Sequence, residues 1–291
     1  AHIEGYGQWS DVVSVTNVGD PLYNFYGYKV VGVYQDLEDL QNSPKPEKYP
    51  SDGVFNRYNT TWVGALKFAD ISGPDGKPDG IIDTYDRTNI GSPWPKFTYG
   101  FTNTFQFKNF DLSIFINGSY GNKVFNYLGM HLSSMTSIWD NQLKSVTERA
   151  RLVPIDPEKT YPTVVNGVTV YNWFDDITNV KVSNSNAVIP RAIANDPNDN
   201  NRISDRYIED GSYLRIKNIA LGYTLPSSIV RKWNIESIRI YTNIQNLYTF
   251  TSYTGYDPEV GASTASPNVF GLDNGRYPSP QVYSFGLSLS F

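Results

Sequence analysis

QVYSFGLSLSF, residues Gln281 to Phe291, is the stretch whose reading decides the fold. Tyr283, Phe285, Leu287, Leu289 and Phe291 fall on one side of a period-two strand, and Val282, Ser284, Gly286, Ser288 and Ser290 on the other. One face is apolar and the other is small and mostly polar. A core strand of a water-soluble sandwich can share this alternation. Three features favour lipid: the length suits a membrane-crossing strand of about 9–11 residues, aromatics stand near both ends as interface girdles do, and the sequence finishes on Phe291.

Working outward, the same pattern recurs. Phe97, Tyr99, Phe101, Phe105 and Phe107 alternate with Thr98, Gly100, Thr102, Thr104 and Gln106. A short turn at Lys108-Asn109 then returns the chain through Phe110, Leu112, Ile114 and Ile116, which predicts a hairpin with one apolar face. Tyr213 to Thr224 and Ser237 to Tyr248 continue the sheet, with a short helical turn through Trp233 between them. Arg215 and Lys217 interrupt the apolar face of the first of these. Either they lie at the membrane edge or a bulge near Asn218 swaps the faces.

Gln8 to Val18, Phe25 to Tyr34 and Thr60 to Ala69 are read as further strands, with one helical turn at Asp36 to Asn42, for seven or eight strands in all. Two long connections stand out, residues 120–210 and 249–280. The first carries helical spacing at Val124 to His131 and Ile138 to Arg149 and a polar run, NDPNDNNR, at Asn195 to Arg202. An excursion of that length between strands is usually functional or disordered.

Composition agrees with an all-β reading. Tyr, Phe and Trp supply 15% of the chain, suited to aromatic belts or ligand-stacking surfaces. No run of eighteen or so apolar residues exists, which excludes a helical membrane protein and leaves a β-barrel open. The absence of cysteine removes any disulfide framework. A net charge of −5 without basic clusters argues against a nucleic-acid partner. The chain begins without Met or a secretory signal, and is read as a processed product or, preferably, an excerpt of something longer.

The strongest local chemistry is DISGPDGKPDGIIDTYDR, Asp70 to Arg87. Five aspartates between interspersed glycines repel one another unless solvated or bridged by a cation, and calcium is the cation that takes many oxygens in flexible loops. With Asp75 at position one of an EF-hand-like loop, Asp79, the Ile81 carbonyl, Asp83 and Asp86 fall at ligand positions and Gly80 at the turn, while Lys77 occupies a position where an oxygen belongs. A second register starts at Asp70 and Ser72 and keeps the downstream ligands. An acidic solvated turn explains the same residues without metal.

Catalytic chemistry is not supported. His2 and His131 are the only histidines and neither has metal-ligand spacing. Asp175-Asp176 and Glu209-Asp210 are paired carboxylates, but adjacent acids in polar loops are ordinary surface charge. Trp62, Trp139 and Trp173 are candidates for stacking on a substrate or contacting a partner, against a reading in which they pack within their own loops.

Several segments together resemble the C-terminal part of the SusC/RagA family of TonB-dependent outer-membrane transporters from Bacteroidota. They are GDPLYNFYGYKVVGVYQ (Gly19 to Gln35), DGIIDTYDRTNIGSPWPKFTYGF (Asp79 to Phe101), SYLRIKNIALGYTLP (Ser212 to Pro226) and NLYTFTSYTGYDPEV (Asn246 to Val260), followed by the terminal strand. The resemblance implies a segment of an antiparallel transmembrane barrel of about 22 strands, closed by a plug domain that lies outside these residues. It also implies 120–210 and 249–280 as extracellular loops, an extracellular position for the acidic segment, a SusD-like surface lipoprotein as lid, and import of oligosaccharides or peptides energised through the TonB complex. Seven or eight strands cannot close such a ring, and open edges do not survive in lipid, so the chain is expected to be part of a larger wall. The competing expectation is a secreted, calcium-stabilised, carbohydrate-binding β-sandwich.

Overall fold

The computed structural model describes residues 2–6, 12–137, 139–159, 162–261 and 269–291. Five long strands form one antiparallel sheet: β1 (Phe97–Phe107), β2 (Phe110–Tyr120), β3 (Tyr213–Thr224), β4 (Ser237–Thr251) and β5 (Val282–Ser290), in the spatial order β5-β4-β3-β2-β1. The alternation of each strand makes this sheet two-faced, because directly paired residues share a face. On one face Leu287 pairs with Ile240, Ile240 with Tyr223, Tyr223 with Phe110, and Phe110 with Phe107. Two same-face steps along, Tyr283 pairs with Ile244, Ile244 with Ile219, and Ile219 with Ile114. The face is apolar apart from Thr242, between Leu221 and Phe285, and Asn103, opposite Ile114 on the edge strand, and it is open: Phe101, Phe105, Leu221, Leu287 and Phe285, the last 84% exposed, pack under no second layer among the described residues.

Aromatics collect at the two ends of that face. Phe107, Phe110 and Tyr223 stand at the hairpin end, with the Phe110 and Tyr223 rings 4.6 Å apart. Phe97 stacks on Tyr120 at the other end, where Tyr248 and Phe250 also meet edge to face. Aliphatic residues fill the middle. A core face of a soluble sandwich would be covered, so the exposed, girdled face removes the ground for the sandwich reading.

The connections fall into two classes by end. Lys108-Asn109 joins β1 to β2 in a tight turn, with Lys108 in the left-handed region at φ 55°. β3 and β4 are joined at the same end by a helical turn, Ser227–Val230, and a 3-10 turn, Arg231–Trp233, ended by Asn234 at φ 56°. The long connections 121–212 and 252–281 leave from the other end.

A bulge resolves the Arg215 and Lys217 question. Against β2, the adjacent Phe115 and Ile116 pair with Asn218 and Ile216, so Lys217 is the extra residue there; against β4, Asn218 and Ile216 pair with Gln245 and Tyr248, so β4 carries the extra residue, in the Asn246-Leu247 pair opposite Lys217. Ile216 and Ile219 therefore both face the apolar side, paired with Ile116 and Ile114. Arg215, paired with Asn117 and Thr249, is turned to the polar side.

The chain divides into two compact units: residues 92–125, 209–262 and 270–291, which contain the five-stranded sheet, and a second made of 1–91, 126–208 and 263–269. The second unit has its own core, in which Trp62, Tyr34, Leu40, Leu66, Phe68 and Ile82 are joined by Ile177, Val180 and Val182 from the long connection. Its strands are short. Val12–Asn17 pairs with Asn24–Gly27, and the latter with Thr88–Gly91. Val30–Val33 pairs with Leu66–Phe68. The expected strand Gln8 to Val18 is described from Val12 onward; 7–11 lie outside the described residues. Phe25 to Tyr34 is broken into two strands that join different sheets. Asp36 caps the expected turn at Leu37–Asn42 by accepting from the Asp39 amide.

The polar run Asn195 to Arg202 is tucked inward. Asn198 and Asn200 are buried: Asn200 accepts from the Leu66 amide at 2.7 Å, and Asn198 donates to the Leu66 carbonyl at 3.0 Å while accepting from Thr61. Side-chain amides replace a missing strand partner there. Of the expected helices, Val124 to His131 becomes a short strand, Lys123–Asn126, and a helix, Tyr127–Leu132. The segment toward Arg149 holds only a 3-10 turn, Lys144–Glu148, with Ile138 outside the described residues.

Candidate functional site

The polar face of the sheet carries its charges in tied groups. Arg239 on β4 reaches Asp111 on β2 at 2.5 Å, passing over the intervening strand at Gly222. A Cβ at Gly222 would lie 2.4 Å from both Arg239 Nη2 and Asp111 Oδ1, so only glycine leaves the passage open. A similar tie crosses β2 at Gly118, where the Tyr99 hydroxyl of β1 donates to the Tyr213 carbonyl of β3 at 3.0 Å.

Arg215 anchors the 252–281 connection. Its side chain is 3% exposed and binds Thr249 Oγ1 at 2.8 Å, Asp257 at 2.5 Å and Glu259 at 2.8 Å. Glu259 also takes Lys217 Nζ at 3.3 Å. Burial alone would raise the Asp257 carboxyl, but the Glu259 amide, the Arg215 guanidinium and the Ser279 amide outweigh it and hold the group below the usual carboxylate range. Further along, the buried Tyr253 hydroxyl donates to Asp273 at 2.6 Å; burial and that carboxylate both push the phenol upward.

Above this anchor lies a cavity of about 540 Å³. Trp94 and Phe270 stack in its wall with centroids 4.9 Å apart and planes 7° apart. Tyr277 projects beside it, almost wholly exposed. Lys123, Lys217 and Arg276 contribute cations, Asp257 and Glu259 the carboxylates. No sequence signal marked this cavity, because its walls come from segments far apart in the chain.

The sequence-predicted sites fare differently. Tyr283, Phe285, Leu287, Leu289 and Phe291 are all exposed, as a lipid-facing row requires. Trp62 is a correction: at 1% exposed it lies in the core of the second unit and presents no face to a ligand. Trp173 is half-buried against that same core, edge-on to Phe174. Trp139 is 89% exposed.

In the acidic segment the carboxylates bind backbone amides. Asp86 is fully buried; its Oδ1 accepts from Ile71 (2.7 Å) and Ser72 (3.2 Å), and its Oδ2 from Asp83 (2.8 Å). Asp83 caps a 3-10 turn through the Tyr85 amide. Asp70 accepts from Gly80 at 2.7 Å, and Asp79 from Ile81 at 3.0 Å. Gly80 has φ 86°, which matches its reading as a turn residue, and Asp75 stands exposed nearby. Among the described residues no group of three or more His, Asp or Glu is placed to hold a metal ion. In this arrangement Asp70, Asp79, Asp83 and Asp86 tie the loop through its backbone amides, as local side-chain bonds do.

No family model matches the chain. It is similar to TonB-dependent receptor P3 of Formosa agariphila, 32% identical over 278 residues that cover 94% of this chain and 22% of that protein. It is also similar to TonB-dependent receptor SusC of Bacteroides thetaiotaomicron, 26% identical over 318 residues, covering 99% of this chain and 26% of that protein. The chain thus spans about a quarter of the length of the curated relatives it matches. Among solved structures, the RagAB peptide importer in its open-open state superposes with a TM-score of 0.58 at 18% identity, over 99% of this chain and 24% of that one. These relatives are receptors, not enzymes. With the girdled apolar face and the tied polar face, the likeness fits this chain as a fragment of a SusC/RagA-family TonB-dependent receptor, a stretch of an outer-membrane barrel wall.

Proposed function

We propose that the chain serves nutrient import across the outer membrane, as wall strands and extracellular loops of a transporter energised through TonB. The observation that carries this reading is the five-stranded sheet, with a lipid-type face on one side and ion-paired polar residues on the other. The short turns then face the periplasm, and the long connections 121–212 and 252–281 face outward. In this reading a SusD-like lipoprotein covers the loops as a lid, and the cargo is an oligosaccharide or a peptide. The SusC and RagAB relatives support the class of activity. The intact protein should leave outer-membrane preparations only with detergent, and its apparent size on gels should change on heating. Full solubility without detergent would refute the assignment.

Calcium at Asp70 to Arg87 is a second, separate proposal, supported by five carboxylates within one short loop. Calorimetric titration tests it: stoichiometric calcium binding that disappears on replacing Asp79 and Asp83 by Ala supports the site. An intact protein that takes up no calcium leaves the aspartates as amide-binding loop ties alone.

A further inference from the structure

The cavity lined by Trp94, Tyr277, Lys123 and Arg276 has an unequal distribution of partners among its charges. Its two carboxylates are already engaged: Asp257 by Arg215, and Glu259 by Arg215 and Lys217. Lys123 and Arg276 have no carboxylate within ion-pair distance among the described residues. Both are held by their backbones, Lys123 through its amide to the Ser92 carbonyl at 2.8 Å and Arg276 through its amide to Asp273 at 3.0 Å. The Arg276 guanidinium lies beside Gly261, where a Cβ would be 3.6 Å from Nη1. Lys123 acts on Asp210 through space without an ion-pair contact, and Asp210 Oδ1 accepts from both the Ser212 amide and the Ser212 hydroxyl.

Cations without an ion-pair partner among the described residues, beside the exposed Tyr277 and the partly exposed Trp94, make a recognisable chemistry. A guanidinium and an ammonium bind a carboxylate by charge-assisted hydrogen bonds. The faces of Trp94 and Tyr277 take an apolar ring or chain next to it.

We propose that this cavity is a cargo subsite that recognises a carboxylate with an adjoining apolar face. Arg276 and Lys123 hold the carboxylate, and Trp94 and Tyr277 pack on the neighbouring group. The paired Asp257 and Glu259 form the floor and do not repel the ligand, because Arg215 and Lys217 neutralise them. This inference rests on the import reading and narrows it to acidic cargo. Two sources supply the same chemistry, a uronic-acid unit of an oligosaccharide and the free C-terminus of a peptide.

The experiment uses the full-length receptor that contains this chain, purified in detergent. Four probes are titrated calorimetrically: digalacturonate and its dimethyl ester, and trialanine as free acid and as amide. One of the acids should bind at least about tenfold more tightly than its neutral counterpart, and the pair that shows the difference identifies the source. In the Lys123→Gln/Arg276→Gln variant that acid should weaken by about tenfold or more, while the neutral probe is unchanged and the heat-induced gel shift still reports a folded barrel. Equal binding of acid and neutral probes, binding of neither acid, or an unaltered acid affinity in the variant overturns the inference. A preparation that is soluble without detergent refutes the import reading itself, so the two failures are told apart.

Discussion

At the scale of single residues, glycine and tryptophan carry the clearest consequences. Gly222→Ala places a methyl where Arg239 and Asp111 meet, so the pair must part or the strands must shift. A loss of about 1–3 kcal/mol is expected, read as a lower temperature for the gel-mobility transition, and Gly100→Ala serves as a control because its added Cβ meets nothing nearer than Phe115 Cε2 at 3.5 Å, an ordinary contact. Trp62→Ala should cost the second unit about 3–5 kcal/mol in a denaturant or thermal melt, and Trp139→Ala should leave that melt unmoved. The two tryptophans look alike in sequence. Burial separates them because Trp62 is enclosed by residues from the distant segment 177–187, a relation no local pattern contains. The acidic loop teaches the same lesson: spacing shows that Asp70 to Asp86 share a loop, whereas which amides they accept depends on how the loop closes.

At the scale of elements, the terminal strand offers a paired test. Leu287→Arg puts charge on the lipid face and should cost about 2–4 kcal/mol, with reduced yield of heat-modifiable barrel. Ser288→Arg, one residue on and facing the other way, should fold. Equal damage from both would contradict the assignment of faces. The 252–281 connection supplies a second. Removing Arg215 leaves Asp257 buried beside no guanidinium, and Arg215→Ala should cost about 3–5 kcal/mol, seen as faster proteolysis within that connection. Acid should do the same. Asp257 is held below its ordinary range, so its contribution is present above about pH 4, the unfolded value, and is lost as pH falls through the lower folded value. Stepped-pH proteolysis should find the connection protected at neutral pH and open only on the acid side. The alternation of β1 to β5 was legible residue by residue. The bulge at Lys217 was not, since either the membrane edge or a face swap satisfied the pattern until the partner strands fixed the register.

At the scale of the whole molecule, the family and the transmembrane sheet could be read from spaced segments that agree in order, and the structure supports both. The second unit was read partly as further strands, at Gln8 to Val18, Phe25 to Tyr34 and Thr60 to Ala69, and partly as the long loop 120–210; that the two make one core was not legible, because it is assembled from pieces far apart, with buried Asn198 and Asn200 standing in for strand partners. Among the described residues, β1 and β5 each have a free edge. Refolded alone into detergent, the 291-residue chain should form mixed oligomers and show no discrete heat-modifiable monomer by size-exclusion and gel analysis. A clean monomer would mean that this sheet closes on itself.

The side chains that cross Gly118 and Gly222 have a mechanical consequence. Ladder hydrogen bonds hold neighbouring strands together but oppose sliding only one rung at a time, and a slip by one residue would turn every side chain to the wrong medium. Tyr99 and Arg239 each span three strands on the diagonal, one on either face of the sheet. Diagonals convert a ladder into a truss. A sheet braced in this way resists shear and keeps its register under load.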